Sequence, residues 1–123
     1  MGKASFGRVV FKGTEYRHDI VVCNGEVKQR RKEISLHLRR KYGHTPLTGK
    51  EIMEYLKGCG EVQVLFIGTG VYGALPLTED AEEVIGELSR KGVEVIREVT
   101  SDELLSRVEK EKRKYLAIIH TTC

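Results

Sequence analysis

The hydrophobic and polar positions of the chain follow a strand pattern in its first quarter. Two apolar runs, at 6–11 and 18–23, are rich in the β-branched and aromatic residues that favour strands. Asn24-Gly25 follows the second run and is the strongest hairpin signal in the sequence, because both residues tolerate the backbone of a tight turn. The chain is therefore expected to return antiparallel from Val27 onward, which predicts an N-terminal β-hairpin.

After residue 47 the pattern alternates between helix and strand. Thr48 and Glu51 fit a capping box that opens a short helix, and Thr78 and Thr100 each precede acidic residues that favour the start of a further helix. The buried face of the first helix is expected to hold Ile52, Met53 and Leu56. Apolar runs of strand length lie at 62–67, 93–99 and 115–119. The resulting β-α-β-α-β order, with long crossovers, predicts parallel strands.

The segment 28–44 is strongly basic. The alternation of Ile34, Leu36 and Leu38 with polar residues favours an extended conformation. Its cationic side chains form a candidate patch for an anionic partner, mainly Arg30, Arg31, Lys32, Arg39, Arg40 and Lys41. A solvated face explains the same charges, and a nucleic acid is not expected because Tyr42 is the one aromatic residue close by. Asp19 is expected to pair with an arginine of this segment across the sheet.

Composition and charge narrow the class of protein. The 123 residues fit a single domain, 1–123, and 40% hydrophobic with 32% charged residues exclude a disordered or fibrous chain. The longest apolar runs are too short to cross a membrane. Residues 1–57 carry a net charge of +7 and residues 58–123 carry −4, so a typical nucleic-acid binder is not indicated.

Three widely spaced cysteines, at 23, 59 and 123, predict free thiols and a cytoplasmic location. The four histidines lack the close spacing of metal ligands, so no metal and no cofactor are expected.

A glycine-rich stretch directly after a predicted strand is the main candidate for chemistry. Gly68, Gly70 and Gly73 satisfy Gly-x-Gly-x-x-Gly, whose glycines allow a ligand to approach the backbone closely. In a dinucleotide-binding fold the motif also opens a helix, whereas here Pro76 intervenes, which disfavours that interpretation. The open alternatives are a loop that binds a small anion and a tight, purely structural exit from the strand.

Several polar side chains are expected at the same edge of the sheet as this loop. If the strand before it lies between two parallel neighbours, that edge is a topological switch point, where open α/β sheets form clefts. The candidate ligand-binding residues are Gly68, Thr69, Gly70, Tyr72, Gly73, His120 and Thr122. His120 with Cys123 also suggests a nucleophile pair, although a satisfied, partly buried histidine explains His120 equally. No catalytic residue is assigned.

The order of motifs along the chain resembles a family of small domains of unknown function. The motifs are Phe6-Gly7, the stretch 16–20, Leu47-Thr48-Gly49-Lys50-Glu51-Ile52, the stretch 65–73 and His120-Thr121-Thr122-Cys123. The family includes archaeal and bacterial proteins, the adipogenesis-associated domain protein and a mitochondrial assembly factor of respiratory complex I. The resemblance implies a three-layer α/β domain, with a central mixed, largely parallel sheet flanked by helices and a β-hairpin.

Two functions from different classes follow from these observations. The first is a non-catalytic cytosolic binding or assembly-type protein with a protein partner, which the resemblance implies. The second is an enzyme or sensor that binds a small anionic or phosphorylated ligand at the Gly68–Gly73 loop. The residues leave open whether the chain catalyses a reaction, and they do not specify an oligomeric state.

Overall fold

Two β-sheets and four α-helices are formed by residues 2–123, the part of the chain that the computed structural model describes. The strands are β1 (Lys3–Ser5), β2 (Arg8–Phe11), β3 (Thr14–Tyr16), β4 (Ile20–Cys23), β5 (Glu26–Gln29), β6 (Val64–Thr69), β7 (Glu94–Glu98) and β8 (Tyr115–His120). The helices are α1 (Arg39–Tyr42), α2 (Gly49–Cys59), α3 (Glu79–Arg90) and α4 (Asp102–Lys110). Among these residues, no helix combines the length and the apolar composition that crossing a membrane requires.

The larger sheet is mixed, with the strand order β5-β4-β8-β6-β7. Strand β6 lies between β8 and β7 and is parallel to both, as the alternating pattern predicts. Asn24 and Gly25 form the predicted β4–β5 turn with φ angles of 50° and 93°, so the hairpin is confirmed. The expectation of a mixed sheet is confirmed, and two of its four strand pairings are parallel, whereas β4 pairs antiparallel with both β5 and β8. Strand β4 thus runs opposite to the other four strands, and β5, which is antiparallel to β4, has the same direction as β8.

A second, three-stranded sheet at the N-terminus was not expected from the sequence. Strands β1, β2 and β3 pair antiparallel in chain order. The predicted strand at 6–11 is interrupted, because Phe6 and Gly7 form the turn between β1 and β2, where Gly7 has a φ of 77°. Val9 and Phe11 of β2 are buried against helix α4 and the larger sheet. Burial of these two side chains holds the small sheet on the rest of the domain.

The core consists of two apolar clusters, one on each side of the five-stranded sheet. In the first, Phe66 and Ile119 from the sheet pack with Leu104 and Leu105 of α4. In the second, the alternate sheet residues pack against α2 and α3; its members include Leu65, Ile67, Ile118, Ile52, Tyr55 and Ala81. Because both faces of β6 are covered, all six of its residues are buried, which explains its continuous apolar sequence.

Thr48 and Thr78 cap α2 and α3 as predicted, whereas α4 is capped by Ser101 and not by Thr100. Two details of α2 also differ. The Thr48 hydroxyl accepts a hydrogen bond from the Glu51 backbone N–H, as predicted for the cap. The Glu51 side chain does not reach back to the cap; it is fully buried and binds Arg30. Ile52 is buried as expected, whereas Met53 is 54% exposed, so its predicted inward position is wrong. Met53 is next to Ile52 in a helix, and adjacent helical residues point about 100° apart.

From Lys32 onward the basic segment is helical rather than extended. It contains two 3₁₀ turns, at Lys32–Ile34 and Leu36–Leu38, followed by α1. Leu36 is exposed, so the alternating apolar positions do not mark a buried strand face. Ser35, a polar residue, is instead the fully buried position of this segment, because its hydroxyl binds Glu51.

Cys23 and Cys59 form a disulfide that joins β4 to α2, so the expectation that all thiols are free is wrong. The two residues are 36 positions apart in the chain, and the fold brings their Cα atoms to 5.7 Å. Their spacing in the sequence gives no sign of this proximity, because it depends on how α2 packs on the sheet. Cys123 is a free thiol.

Replacing both bridged cysteines, Cys23→Ala with Cys59→Ala, is expected to lower the free energy of unfolding by about 3–4 kcal/mol. The reason is that a cross-link over this distance reduces the entropy of the unfolded chain. Thermal unfolding should show a midpoint lower by roughly 10 °C. Reductant should lower the midpoint of the original chain and leave the variant unchanged, with Cys123→Ala as the control. Equal midpoints with and without reductant would contradict the prediction.

Candidate functional site

The ends of the three parallel strands β6, β7 and β8 meet at one edge of the sheet, as the sequence predicts. The backbone N–H of Gly70, after β6, donates to the Thr100 hydroxyl, after β7, over 3.0 Å. That hydroxyl donates to the carbonyl of His120, at the end of β8, over 2.6 Å. Thr100 therefore links the exits of all three strands. We call this the C-terminal edge.

The glycine loop is folded against the last residues of the chain. The backbone N–H groups of Val71 and Ala74 donate to the carbonyls of Thr122 and Cys123, each over 2.7 Å. The N–H groups of Gly73 and Leu75 donate within the loop, to Gly70 and Thr69. These donors serve the fold, which favours the structural interpretation of the glycine spacing over a backbone cradle for an anion.

Gly70 is required by its surroundings. Its φ of +98° lies in the region that favours glycine, and a Cβ there would lie 2.3 Å from the Cys123 carbonyl carbon. It would also lie 2.8 Å from the His120 ring. A bulky residue at this position would therefore disturb the fold, so Tyr72, His120 and Thr122 are the better positions at which to test a ligand.

Asp19, His120 and Thr122 form a continuous chain of hydrogen bonds beside this loop. The Asp19 Oδ2 atom lies 2.7 Å from His120 Nδ1, and His120 Nε2 lies 3.2 Å from the Thr122 Oγ1. Asp19 and His120 are buried, whereas Thr122 is half-buried. An imidazole held by a carboxylate can accept a proton from a hydroxyl, so the geometry is that of a carboxylate–imidazole–hydroxyl relay. Sequence reasoning paired Asp19 with an arginine and missed its contact with His120.

The Asp19 carboxylate is kept charged in spite of its burial. Burial by itself would raise the pKa of Asp19, but several favourable contacts outweigh it and hold that pKa well below its usual range. The contacts are the hydrogen bond and charge of His120, the backbone N–H of Thr121 at 2.8 Å and the charge of Lys32. Asp19 is therefore a buried anion at the C-terminal edge.

Arg30 lies between two buried carboxylates. Its guanidinium donates to Asp19 Oδ2 over 3.1 Å and to both oxygens of Glu51, over 2.7 and 3.0 Å. A fourth bond runs to the carbonyl of Pro46 over 2.8 Å. Burial would lower the pKa of Arg30, but Glu51 and Asp19 raise it above its ordinary value. The predicted salt bridge from Asp19 to an arginine of the basic segment is thus confirmed.

Glu51 is held by two further side chains. The Ser35 hydroxyl donates to Glu51 Oε1 over 2.6 Å, and the Tyr55 hydroxyl donates to Oε2 over 2.5 Å. Burial and the charge of Glu51 raise the pKa of Tyr55, so its hydroxyl stays protonated and donates. Within residues 2–123, every buried side-chain nitrogen and oxygen has a hydrogen-bond partner. The network is therefore fully satisfied, as buried polar groups require.

The cationic patch loses one of its predicted members. Arg30 is 4% exposed and cannot meet an external partner, so its assignment to the patch is corrected. Lys32 is half exposed, with its Nζ 3.6 Å from Asp19 Oδ2, and Arg31 pairs with Glu33. The three cations of α1 remain exposed on the surface: Arg39, Arg40 and Lys41.

An exposed apolar cluster lies at the C-terminal edge, and we call it the edge patch. It consists of Phe6, Tyr72 and Val99, which are 57%, 74% and 48% exposed. The ring centroids of Phe6 and Tyr72 are 6.0 Å apart. Gly7 fixes the Phe6 turn at this edge, because its backbone N–H donates to the Thr121 carbonyl over 2.7 Å. In residues 2–123, no three His, Cys, Asp or Glu side chains are grouped to hold a metal ion.

Two solved structures share this fold at substantial sequence identity. The crystal structure of the conserved hypothetical protein PH1505 from Pyrococcus horikoshii OT3 is 36% identical, with 98% of this chain and 97% of that chain covered and a TM-score of 0.78. MT938 is 35% identical, with 100% and 98% covered and a TM-score of 0.71. The chain therefore belongs to the family of PH1505. Because PH1505 is described as hypothetical, membership brings a fold and no activity.

A more distant structure shows the fold alone. The NMR structure of XCC1710 from Xanthomonas campestris is 10% identical, with 97% of this chain and 83% of that chain covered and a TM-score of 0.56. Comparison with models of protein families finds no match, and neither does comparison with curated proteins.

Replacing Arg30 by methionine is expected to lower the free energy of unfolding by about 3–5 kcal/mol, because it leaves two buried carboxylates without their cation. Chemical denaturation of both chains gives the difference directly. Arg31→Met is the matched control: its ion pair with Glu33 is exposed and should be worth less than about 1 kcal/mol. Equal losses for the two variants would contradict a dominant role of the buried network.

Acid should weaken the fold through Asp19. The pKa of this group is lower in the folded chain than in the unfolded chain, so its contribution is complete above the unfolded value, near pH 4. The contribution is lost as the pH falls below about 4 toward the folded pKa. In denaturation series from pH 7 to pH 2, Asp19→Asn should flatten the acid slope, whereas exposed Glu33→Gln should keep most of it. An unchanged slope for Asp19→Asn would disprove the assignment.

Proposed function

We propose that the protein is a non-catalytic binding protein that docks a segment of a protein partner on the edge patch. The observation that carries this function is the exposed aromatic pair of Phe6 and Tyr72, extended by Val99. Aromatic side chains are enriched at interfaces and supply much of the binding energy there. The patch stands on well-anchored backbone, since its turn and loop are tied to Thr121 and Thr122 by hydrogen bonds.

The charges around the patch favour a partner segment with acidic residues beside an apolar anchor. Lys32 reaches the C-terminal edge through Asp19, whose Oδ1 accepts from the Thr121 N–H next to the Phe6 turn. Opposite charges on the partner would steer its approach and orient it.

The family resemblance supports the same class of function. Its mitochondrial member is an assembly factor, which implies contacts with other proteins. The resemblance also supports describing the domain as three layers, with helices against both faces of the larger sheet. We further propose a cytoplasmic location, where the Cys23–Cys59 disulfide would be of the kind that intracellular proteins of hyperthermophiles carry.

The second candidate function is an enzyme or sensor for a small anionic ligand at the Gly68–Gly73 loop. It is favoured by one observation, the relay from Asp19 through His120 to the half-buried Thr122 beside that loop. The loop amides that bond to the C-terminal segment count against it, because they are not available to an anion. The binding function is therefore placed first.

The test uses labelled peptides as probes of the edge patch. The binding of three peptides is measured by fluorescence anisotropy. The first is acidic and has phenylalanine anchors, the second has alanine in place of the phenylalanines, and the third has lysine in place of the glutamates. The acidic, anchored peptide is expected to bind best. Phe6→Ala with Tyr72→Ala should weaken it at least tenfold, which corresponds to about 1.4 kcal/mol or more.

Leu36→Ala is the matched control, since Leu36 is 51% exposed and lies outside the patch. Its binding and its unfolding midpoint should equal those of the original chain. If no peptide binds, or if the double variant binds as well as the original chain, the binding function is wrong.

A parallel thermal-shift panel of nucleotides and phosphorylated metabolites addresses the alternative function, a small anionic ligand at the glycine loop. A ligand at about one hundred times its Kd stabilises by roughly 2.7 kcal/mol, and that gain should vanish in His120→Ala if the loop is the site.

A further inference from the structure

The outer surface of α2 and α3 contains two neighbouring cavities that share part of their lining. One has a volume of about 910 Å³ and the other about 550 Å³. Lys50 and Met53 line both of them. Met53 is 54% exposed between them, and further apolar side chains line the larger cavity, among them Leu56 and Leu88.

The two helices of this face run in the same direction. The backbone N–H of Gly49, the first residue of α2, donates to the Asp80 carboxylate in the first turn of α3 over 2.9 Å. The two N-termini are therefore adjacent, and the C-terminal ends carry Lys57 on α2 and Lys91 just after α3. The aligned dipoles make the N-terminal end of the face positive and the C-terminal end negative, apart from the side-chain charges.

The charged side chains of the face differ between the two cavities, although Lys50, in the first turn of α2, lines both. The larger cavity is lined by four lysines and two glutamates: Lys50, Lys57, Lys91, Lys114, Glu54 and Glu61. The smaller cavity is lined by four acids and two bases: Asp80, Glu82, Glu83, Glu87, Lys50 and Arg90. We call these the lysine end and the acidic end. By their lining side chains the two ends carry excesses of two charges, of opposite sign, with Met53 between them. Glu82 of the acidic end is paired with Arg97, which leaves an unpaired excess of one negative charge there.

We propose that this face binds the same face of a second copy of the chain, related by a two-fold axis near Met53. A two-fold interface must be complementary to itself. Rotation by 180° about this axis places the lysine end of each copy over the acidic end of the other, so the interface contains two such contacts. The rotation brings the two Met53 side chains together. It also sets the helix pairs antiparallel, so that their dipoles attract.

A second copy fits this face better than a partner of one charge. An acidic segment attracted to the lysine end would be repelled by Glu83 and Glu87. A basic segment attracted to the acidic end would be repelled by the lysines of the other end. Neither glutamate forms an ion pair within residues 2–123, and the same holds for Lys57, Lys91 and Lys114. Their charges are therefore available to another molecule. This face is separate from the edge patch, so the pairing does not depend on the proposed function.

Sedimentation equilibrium of the full chain tests the pairing by charge reversal. Lys57→Glu with Lys91→Glu makes both ends acidic, and Glu83→Lys with Glu87→Lys makes both ends basic. Each variant alone should dimerise at least tenfold more weakly than the original chain. Mixed together, the two should form a heterodimer, because both of its contacts are again between opposite charges. Raising the salt concentration should weaken the original dimer.

Lys110→Glu with Lys112→Glu is the matched control, with the same change of charge at exposed lysines outside this face. It should leave the dimer unchanged. The chain with all four reversals exchanges its two ends, keeps the original net charge and should dimerise again. This variant decides the matter even if a single-end variant fails to fold. A chain that stays monomeric to about 1 mM, or a mixture that forms no heterodimer, would overturn the pairing.

Discussion

The structure depends on one buried cation, Arg30. It joins the start of β4, through Asp19, to the first turn of α2, through Glu51, and it also reaches the chain just before that helix at Pro46. These segments belong to different parts of the sheet and its helices, so a single guanidinium fixes where the hairpin and α2 meet. A planar group with five donors suits this role, because it can satisfy two carboxylates and a carbonyl together. Removing any member would strand a buried charge, which makes the arrangement specific.

The same cation determines the chemistry at the C-terminal edge. Asp19 shares its carboxylate between Arg30 and His120, while Thr121 supplies two further donors to it. Because Asp19 is held in this way, the imidazole of His120 has a fixed position with its other nitrogen toward Thr122. The glycine loop then closes over these residues and uses their carbonyls as acceptors. The edge patch of Phe6, Tyr72 and Val99 is exposed at this same edge, outside the buried network.

Local chemistry in the sequence was a good guide to single elements. The Asn24-Gly25 turn and the Thr48 cap follow from the residues themselves, and the parallel β6, β7 and β8 follow from alternation. The capping-box pattern was misleading for Glu51, because its side chain has a stronger partner in Arg30. That contact, like the Cys23–Cys59 disulfide and the small N-terminal sheet, joins residues that are distant in the chain. Such contacts depend on the packing of whole elements, which periodicity and spacing do not encode.

The fold also converts a charge asymmetry along the chain into one across its surface. The basic first half supplies α2 and the acidic second half supplies α3, and the two helices lie side by side. Within the basic half, Arg30 is neutralised internally by Asp19 and Glu51, whereas the cations of α1 are not. The unneutralised positive charge is thereby concentrated after Lys32, where the chain leaves the C-terminal edge. A charged molecule would therefore be attracted or repelled differently by the basic surface of α1 and by the α2–α3 face, whose two cavities carry opposite charges.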